Sequence, residues 1–141
     1  MNEEAARAAF ETALSTYEQK FETFFLARLF GLEITYTDDT CVVEIPVADF
    51  MSNPQGSLHG GVIAFALDVS MGHLIKHRTG KAGITLEMKV QYMRPAMPGR
   101  VRCEGRFLRI GRNVSQMESR MTDAGGKLLA MATATWQMPQ G

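Results

Sequence analysis

A glycine pair preceded by a histidine, His59-Gly60-Gly61, and a solitary carboxylate, Asp68, are the residues of this 141-residue sequence whose types and spacing could do chemistry. Glycines at the entrance of a buried helix let a ligand approach backbone N–H groups that have no intrahelical partner, and the helix dipole favours negative charge there. A carbonyl oxygen that becomes an oxyanion is stabilised at such a place. Asp68 is the only ionisable residue between His59 and His73. A carboxylate in such apolar surroundings costs several kcal/mol unless it is paired, hydrogen-bonded or protonated. Both features also have a plain structural reading: a Gly-Gly pair turns a chain, and a satisfied buried acid holds a neighbouring turn. Spacing decides how they could cooperate. Nine residues at about 100° each set Asp68 about 180° around the helix from His59 and roughly 13 Å along it. They cannot share one small substrate within one chain, so a joint role requires a homodimer with two sites across its two-fold axis.

The elements that must position these groups are legible as patterns. From Glu3 to about Phe30, Phe10, Leu14, Tyr17, Phe21, Phe24 and Phe25 recur at three- and four-residue steps, which predicts one amphipathic helix. Leu32–Tyr36 and Cys41–Ile45, separated by Thr37-Asp38-Asp39-Thr40, read as a hairpin, and residues 47–58, with Pro54 and Gly56, read as a loop. Val62 to Met71 is apolar almost all the way round, so the helix it forms must be covered on nearly every side. Lys76, His77 and Arg78 before Gly80 suit its C-terminal end. In Ile84–Tyr92 the even positions are apolar and Thr85, Glu87, Lys89 and Gln91 polar, the pattern of a strand with one buried face. Strand-like runs follow at about 100–110, 113–122 and 127–137, joined by Gly111-Arg112 and Asp123-Ala124-Gly125-Gly126. Short links imply antiparallel neighbours. The most economical way to bury the apolar helix is to curl an antiparallel sheet of about six strands around it, an α+β arrangement with an extra N-terminal helix over residues 1–30 and one domain over 31–141.

Composition bounds the function. At 45% apolar and 21% charged, the chain is one ordinary globular domain, and no stretch approaches the ~20 unbroken apolar residues of a membrane span. Two cysteines, Cys41 and Cys103, exclude a disulfide scaffold or a four-cysteine metal site. The acidic start is unlike a secretory signal, so a cytoplasmic setting is expected. The zero net charge hides a segregation: residues 1–50 carry three Lys/Arg against ten Asp/Glu, whereas residues 71–120 carry eleven against three. Those cations either offset the acidic half across a solvated surface or serve a phosphorylated ligand. A pI near 6.8 argues against nucleic acid. His73 and His77 have no metal-ligand partner at recognisable spacing, and no serine nucleophile elbow or P-loop is present.

Asn53-Pro54-Gln55-Gly56-Ser57-Leu58-His59-Gly60-Gly61, then Asp68, then Gly83-Ile84-Thr85-Leu86-Glu87-Met88-Lys89-Val90-Gln91-Tyr92-Met93-Arg94-Pro95-Ala96, resembles the hotdog-fold acyl-CoA thioesterases of the phenylacetate-degradation (PaaI-like) type. The likeness runs from about Leu32 to Trp136. It implies a hotdog fold, a homodimer with a continuous sheet that often pairs into a tetramer, and hydrolysis of acyl-CoA thioesters without metal or organic cofactor. By position, the Gly60 N–H would polarise the thioester carbonyl, with Gly61 beside it at the substrate. Asp68 of the partner subunit would act as nucleophile or as general base on water. Asn53 and His59 match positions that orient the thioester end and the leaving thiol, and Thr85 falls where a Ser or Thr holds the attacking water. Coenzyme A gives the segregated cations a use, and Arg94, Arg112 and Asn113 are chosen by analogy for its phosphates. A non-catalytic acyl-CoA-binding module and a hydratase of related fold are the competing readings. Asp68 opposes the first, since pure binding gives no reason to keep a carboxylate beside an acyl chain; the Gly-Gly entrance opposes the second. Which of Phe65, Leu67, Met71 or the N-terminal aromatics face an acyl group is left open.

Overall fold

The computed structural model describes residues 1–140. Helix α1 (Glu3–Thr16) opens on Asn2, whose side chain accepts the Ala5 N–H. It does not run on to Phe30 as the periodicity predicts. Tyr17 is already extended, residues 18–23 fold into a turn closed by Glu18 N–H to the Thr23 carbonyl, and a short α2 (Phe25–Leu29) follows. The reason is tertiary. Phe25 stands edge-on to both Phe10 and Tyr17, while Phe24 packs against Phe65, and one straight helix cannot present those rings in both directions.

Strands β1 (Glu33–Tyr36), β2 (Thr40–Val47), β3 (Ile84–Tyr92), β4 (Gly99–Arg109), β5 (Val114–Asp123) and β6 (Leu128–Gln137) form one sheet, in the order β1-β2-β4-β5-β6-β3, with every neighbouring pair antiparallel. The predicted loop before the long helix holds only a 3-10 turn at Asp49–Met51 and a bridge between Ser52 and Leu58. Helix α3 (Gly60–Thr79) lies in the curl of the sheet, burying Ile63, Ala66, Leu67, Met71, Leu74 and Ile75. It comes so close to β4 that a Cβ on Gly105 would collide with the Ser70 carbonyl. Ser70, fully buried, is satisfied there by Ser119 (2.6 Å) and the Leu67 carbonyl (2.7 Å). Gly80, at φ 79°, ends α3 in the left-handed conformation, as the basic last turn and the glycine predict.

β3 departs from simple alternation. Thr85 pairs with Trp136 but Glu87 with Thr135, so Leu86 is the extra residue of a bulge. Before the bulge the odd residue Thr85 faces α3; after it the even residues Met88, Val90 and Tyr92 do. Ile84 and Leu86, predicted on the buried face, are instead 58% and 52% exposed. A side-chain period of two cannot reveal such a phase change, because apolar residues stand at the even positions on both sides of it.

Candidate active site

Two clusters form, one at each end of β3. The first is the entrance to α3. His59 is the N-cap residue, and its Nδ1 accepts the Gly61 N–H at 2.8 Å. Accepting at Nδ1 fixes the neutral ring's proton on Nε2, which leaves that N–H as a donor. The Val62 and Ile63 N–H groups both go to the His59 carbonyl (2.9 and 3.1 Å). Among the described residues only the Gly60 N–H of this first turn has no acceptor, so the entrance offers one free amide and the Gly61 amide serves the cap. Both glycines are needed for space: a Cβ on Gly61 would lie 3.0 Å from His59 Nδ1, and one on Gly60 3.3 Å from the Tyr92 ring. The Tyr92 hydroxyl donates to the Gly60 carbonyl at 2.8 Å. Asn53 shapes the neighbouring loop. Its Oδ1 accepts from the Gln55 and Ser57 N–H groups, and its Nδ2 donates to Ser57 Oγ. A cavity of about 390 Å³ opens over this cluster, lined by Asn53, Ser57, Gly60, Ile63, Tyr92 and Arg94 among others.

The second cluster lies two turns along α3. Asp68, half-buried, accepts a hydrogen bond from the Thr85 hydroxyl at 2.9 Å, and among the described residues no cation pairs with it. Burial raises its pKa above the usual carboxylate range, opposed by the Thr85 hydrogen bond and by the nearby His73. Burial also lowers the pKa of His73, leaving its ring neutral at pH 7. Asp68 is therefore a stronger base than an exposed carboxylate. The two cysteines are no rivals as nucleophiles: both are buried in the core, with the Cys41 thiol pushed up to about 12 by burial.

The predicted residues thus divide. Asn53, His59, Gly60, Gly61 and Arg94 stand at one end of β3. Asp68 and Thr85 stand toward the other, as do Arg112 and Asn113 in the β4–β5 link, since Val114 pairs with Gln137 and Gln137 with Ile84. Eight residues of one continuous helix hold Gly60 and Asp68 about 12 Å apart. One chain does not bring its amide to its acid. Tyr92 is the site residue that sequence reasoning missed. Its place at the end of the strand before Arg94-Pro95 was the available signal, but only the bulge tells which way it points.

A curled antiparallel sheet around one long helix is a hotdog fold, here with a free amide at the helix start and a carboxylate two turns on. The thioesterase superfamily profile matches residues 55–130, and the chain belongs to that family as a thioester hydrolase. It is 35% identical over 96 residues to a Saccharolobus solfataricus protein named as an esterase, covering 67% of this chain and 69% of that one. Over 100 residues it is 30% identical to the medium/long-chain acyl-CoA thioesterase YigI of Salmonella typhimurium, covering 60% of this chain and 64% of the relative. Among solved structures, a Bacillus halodurans protein with CoA matches at TM-score 0.88 and 22% identity, over 99% of this chain and 94% of that one. The Escherichia coli PaaI protein matches at TM-score 0.80 and 18% identity, over 94% and 97%. These last two likenesses speak for the fold.

Proposed function

We propose that the protein is an acyl-CoA thioesterase whose active site is shared between two copies of the chain. The observation that carries this reading is the separation just described: α3 offers one amide without an acceptor and one carboxylate without a cation, too far apart to meet in one subunit. β3 is an edge of the sheet with its outer backbone groups unpaired. Antiparallel pairing of two β3 strands about a point between Met88 and Lys89 would set Tyr92 opposite the partner's Thr85. That pairing would bring the Gly60 amide toward the partner's Asp68, and it makes the sheet continuous across a homodimer; a further pairing of dimers fits the same family pattern.

In this site the thioester oxygen accepts the Gly60 N–H, at the positive end of α3. The partner's Asp68 takes a proton from water, whose oxygen adds to the carbonyl carbon, and the partner's Thr85 holds that carboxylate. Collapse of the tetrahedral intermediate breaks the C–S bond. The thiolate leaves and recovers the proton, giving free acid and coenzyme A. His59 Nε2–H directs the thioester end, Asn53 keeps the loop beside it, and Arg94 with the partner's Arg112 and Asn113 meets the CoA phosphates. No step calls for a metal or organic cofactor. CoA as the carrier is supported by the YigI relative and by the CoA-bound Bacillus halodurans structure. Among the described residues no helix is long and apolar enough to cross a membrane, and a cytoplasmic setting fits a CoA substrate.

The test is thiol release from a panel of acyl-CoAs, followed by co-expression of subunits changed at Asp68 with subunits changed at Gly60. Recovery in the mixture supports a shared site. Activity of a lone chain, or no recovery, overturns it. CoA binding without turnover would instead favour the binding module, and loss of thioester absorbance without free thiol a hydratase.

A further inference from the structure

Stepping round α3 at about 100° per residue, Asp68, Gly72, Phe65 and His73 follow one another, from the side that meets Thr85 and Trp136 of the sheet to the side away from them. That far side is covered by the segment that interrupts the predicted N-terminal helix. His73 Nε2 meets the Phe21 carbonyl at 2.5 Å, and the Phe21 ring stands edge-on to the His73 ring at 4.9 Å. Phe24 lies 6.1 Å from Phe65 and 6.0 Å from His73. A second anchor is the Tyr36 hydroxyl, which donates to Glu22 at 2.7 Å. Yet the segment does not pack shut. Phe21, Phe24 and His73, with Gln19 and Lys20, line a cavity of about 270 Å³. The cavity is open to solvent on the side of Gln19 and Lys20 and apolar where Phe21 and Phe24 line it. Phe65 and Asp68 are neighbours three residues apart on α3, and Phe65 meets the cavity-lining Phe24, which places the cavity within a short chain's reach of the carboxylate. The neutral imidazole, spending its Nε2–H on a carbonyl, presents no charge to an apolar guest.

Resting on the thioesterase reading, we propose that residues 19–24 are the specificity wall of the acyl site: the acyl group leaves the carbonyl beside Asp68, crosses Phe65 and ends between Phe21 and Phe24. At about 270 Å³ the cavity is at the small end of ligand sites. The wall therefore admits medium-length acyl chains and single aromatic rings and turns away long chains. It lies outside the residues matched by the family profile, so it sets the preference of this chain in particular.

The experiment compares kcat/KM for acetyl-, octanoyl-, phenylacetyl- and palmitoyl-CoA in the wild type, Phe24→Trp and Phe24→Ala, each checked for an unchanged thermal transition, with Phe21→Ala as the substitute for any variant that fails to fold. Filling the cavity with tryptophan should lower the octanoyl-to-acetyl ratio by about tenfold, and opening it should raise the palmitoyl-to-octanoyl ratio by a similar factor. Ratios unchanged in all variants, or a wild-type optimum at palmitoyl, would overturn the proposal. Affinity for octyl-CoA thioether against CoA, measured by calorimetry, separates this result from the hydrolase reading. If no substrate releases thiol, that reading fails; a tighter thioether whose advantage disappears in Phe24→Trp still supports the wall, and an equal affinity refutes it.

Discussion

The entrance of α3 and its midpoint are built on opposite principles. At the entrance only donors are left over: His59 holds the Gly61 amide through Nδ1, Tyr92 holds the Gly60 carbonyl, and Asn53 is spent on its own loop, which leaves the Gly60 N–H and the His59 Nε2–H beside a cavity. At the midpoint the carboxylate has one hydroxyl partner and no cation. The first region is a donor with no base and the second a base with no donor. Their difference teaches that each region is locally satisfied and chemically incomplete, which is why the proposed catalytic unit is larger than one chain.

The comparison breaks most visibly at its two extremes. Asp68→Ala should lower kcat by about 10²-fold or more in a thiol-release assay, since it removes the base. Gly60→Pro is the sharper counterpart. Proline is well tolerated at the first helical position, and His59 before it already sits at φ −60° and ψ 134°, so the change removes the free N–H with a helix-compatible backbone, while its Cβ asks the Tyr92 ring to give by a few tenths of an ångström. It should cost about 10²–10³ in kcat with the fold retained by circular dichroism. Co-expressing these two variants should restore about a quarter of wild-type activity, because half of random dimers carry one intact site of two. A mixture no better than its components would place both groups in one chain's site.

A smaller effect distinguishes the two regions by pH. Asp68 must be ionised to act, so kcat/KM should fall on acidification at a pH above the ordinary carboxylate range. Thr85→Val, which removes the hydroxyl that favours the ionised form, should move this limb to still higher pH and cost about tenfold in kcat/KM on it. Stability has the opposite sign. The folded state binds the Asp68 proton more tightly than the unfolded chain does, so that contribution is present below the unfolded pKa and lost as pH rises through the raised folded value. Asp68→Asn should therefore raise the thermal transition at neutral pH while abolishing turnover. At the entrance, by contrast, the smallest change is one of stability: His59→Ala removes the cap on Gly61 and should cost about 1 kcal/mol in urea titration.

How much of this was legible depended on whether the signal was local. The C-terminal stop of α3 at Gly80 and the three strands after Pro98 could be read because glycine, charge and alternation act over a few residues. The placing of Asp68 on the side of the helix away from His59, and far along it, followed from helix geometry alone. Three features could not be read that way. The break after Thr16 is imposed by rings packing on residues far along the chain, the Leu86 bulge is hidden beneath an unbroken apolar alternation, and the Asp68–Thr85 bond joins two elements whose facing depends on that bulge. Arg112 and Asn113 were chosen by analogy, and their place beyond Thr85 makes them candidates for the partner's substrate.

The exposed side of β3 also governs how this protein must be made. If the proposed pairing holds, a subunit fresh from the ribosome carries nine residues of open template, with Ile84 and Leu86 in water beside them, and can accept any extended chain that arrives before its twin. Yield on overproduction should therefore depend on how fast subunits meet, and a lysine at Leu86 should trade assembly for solubility.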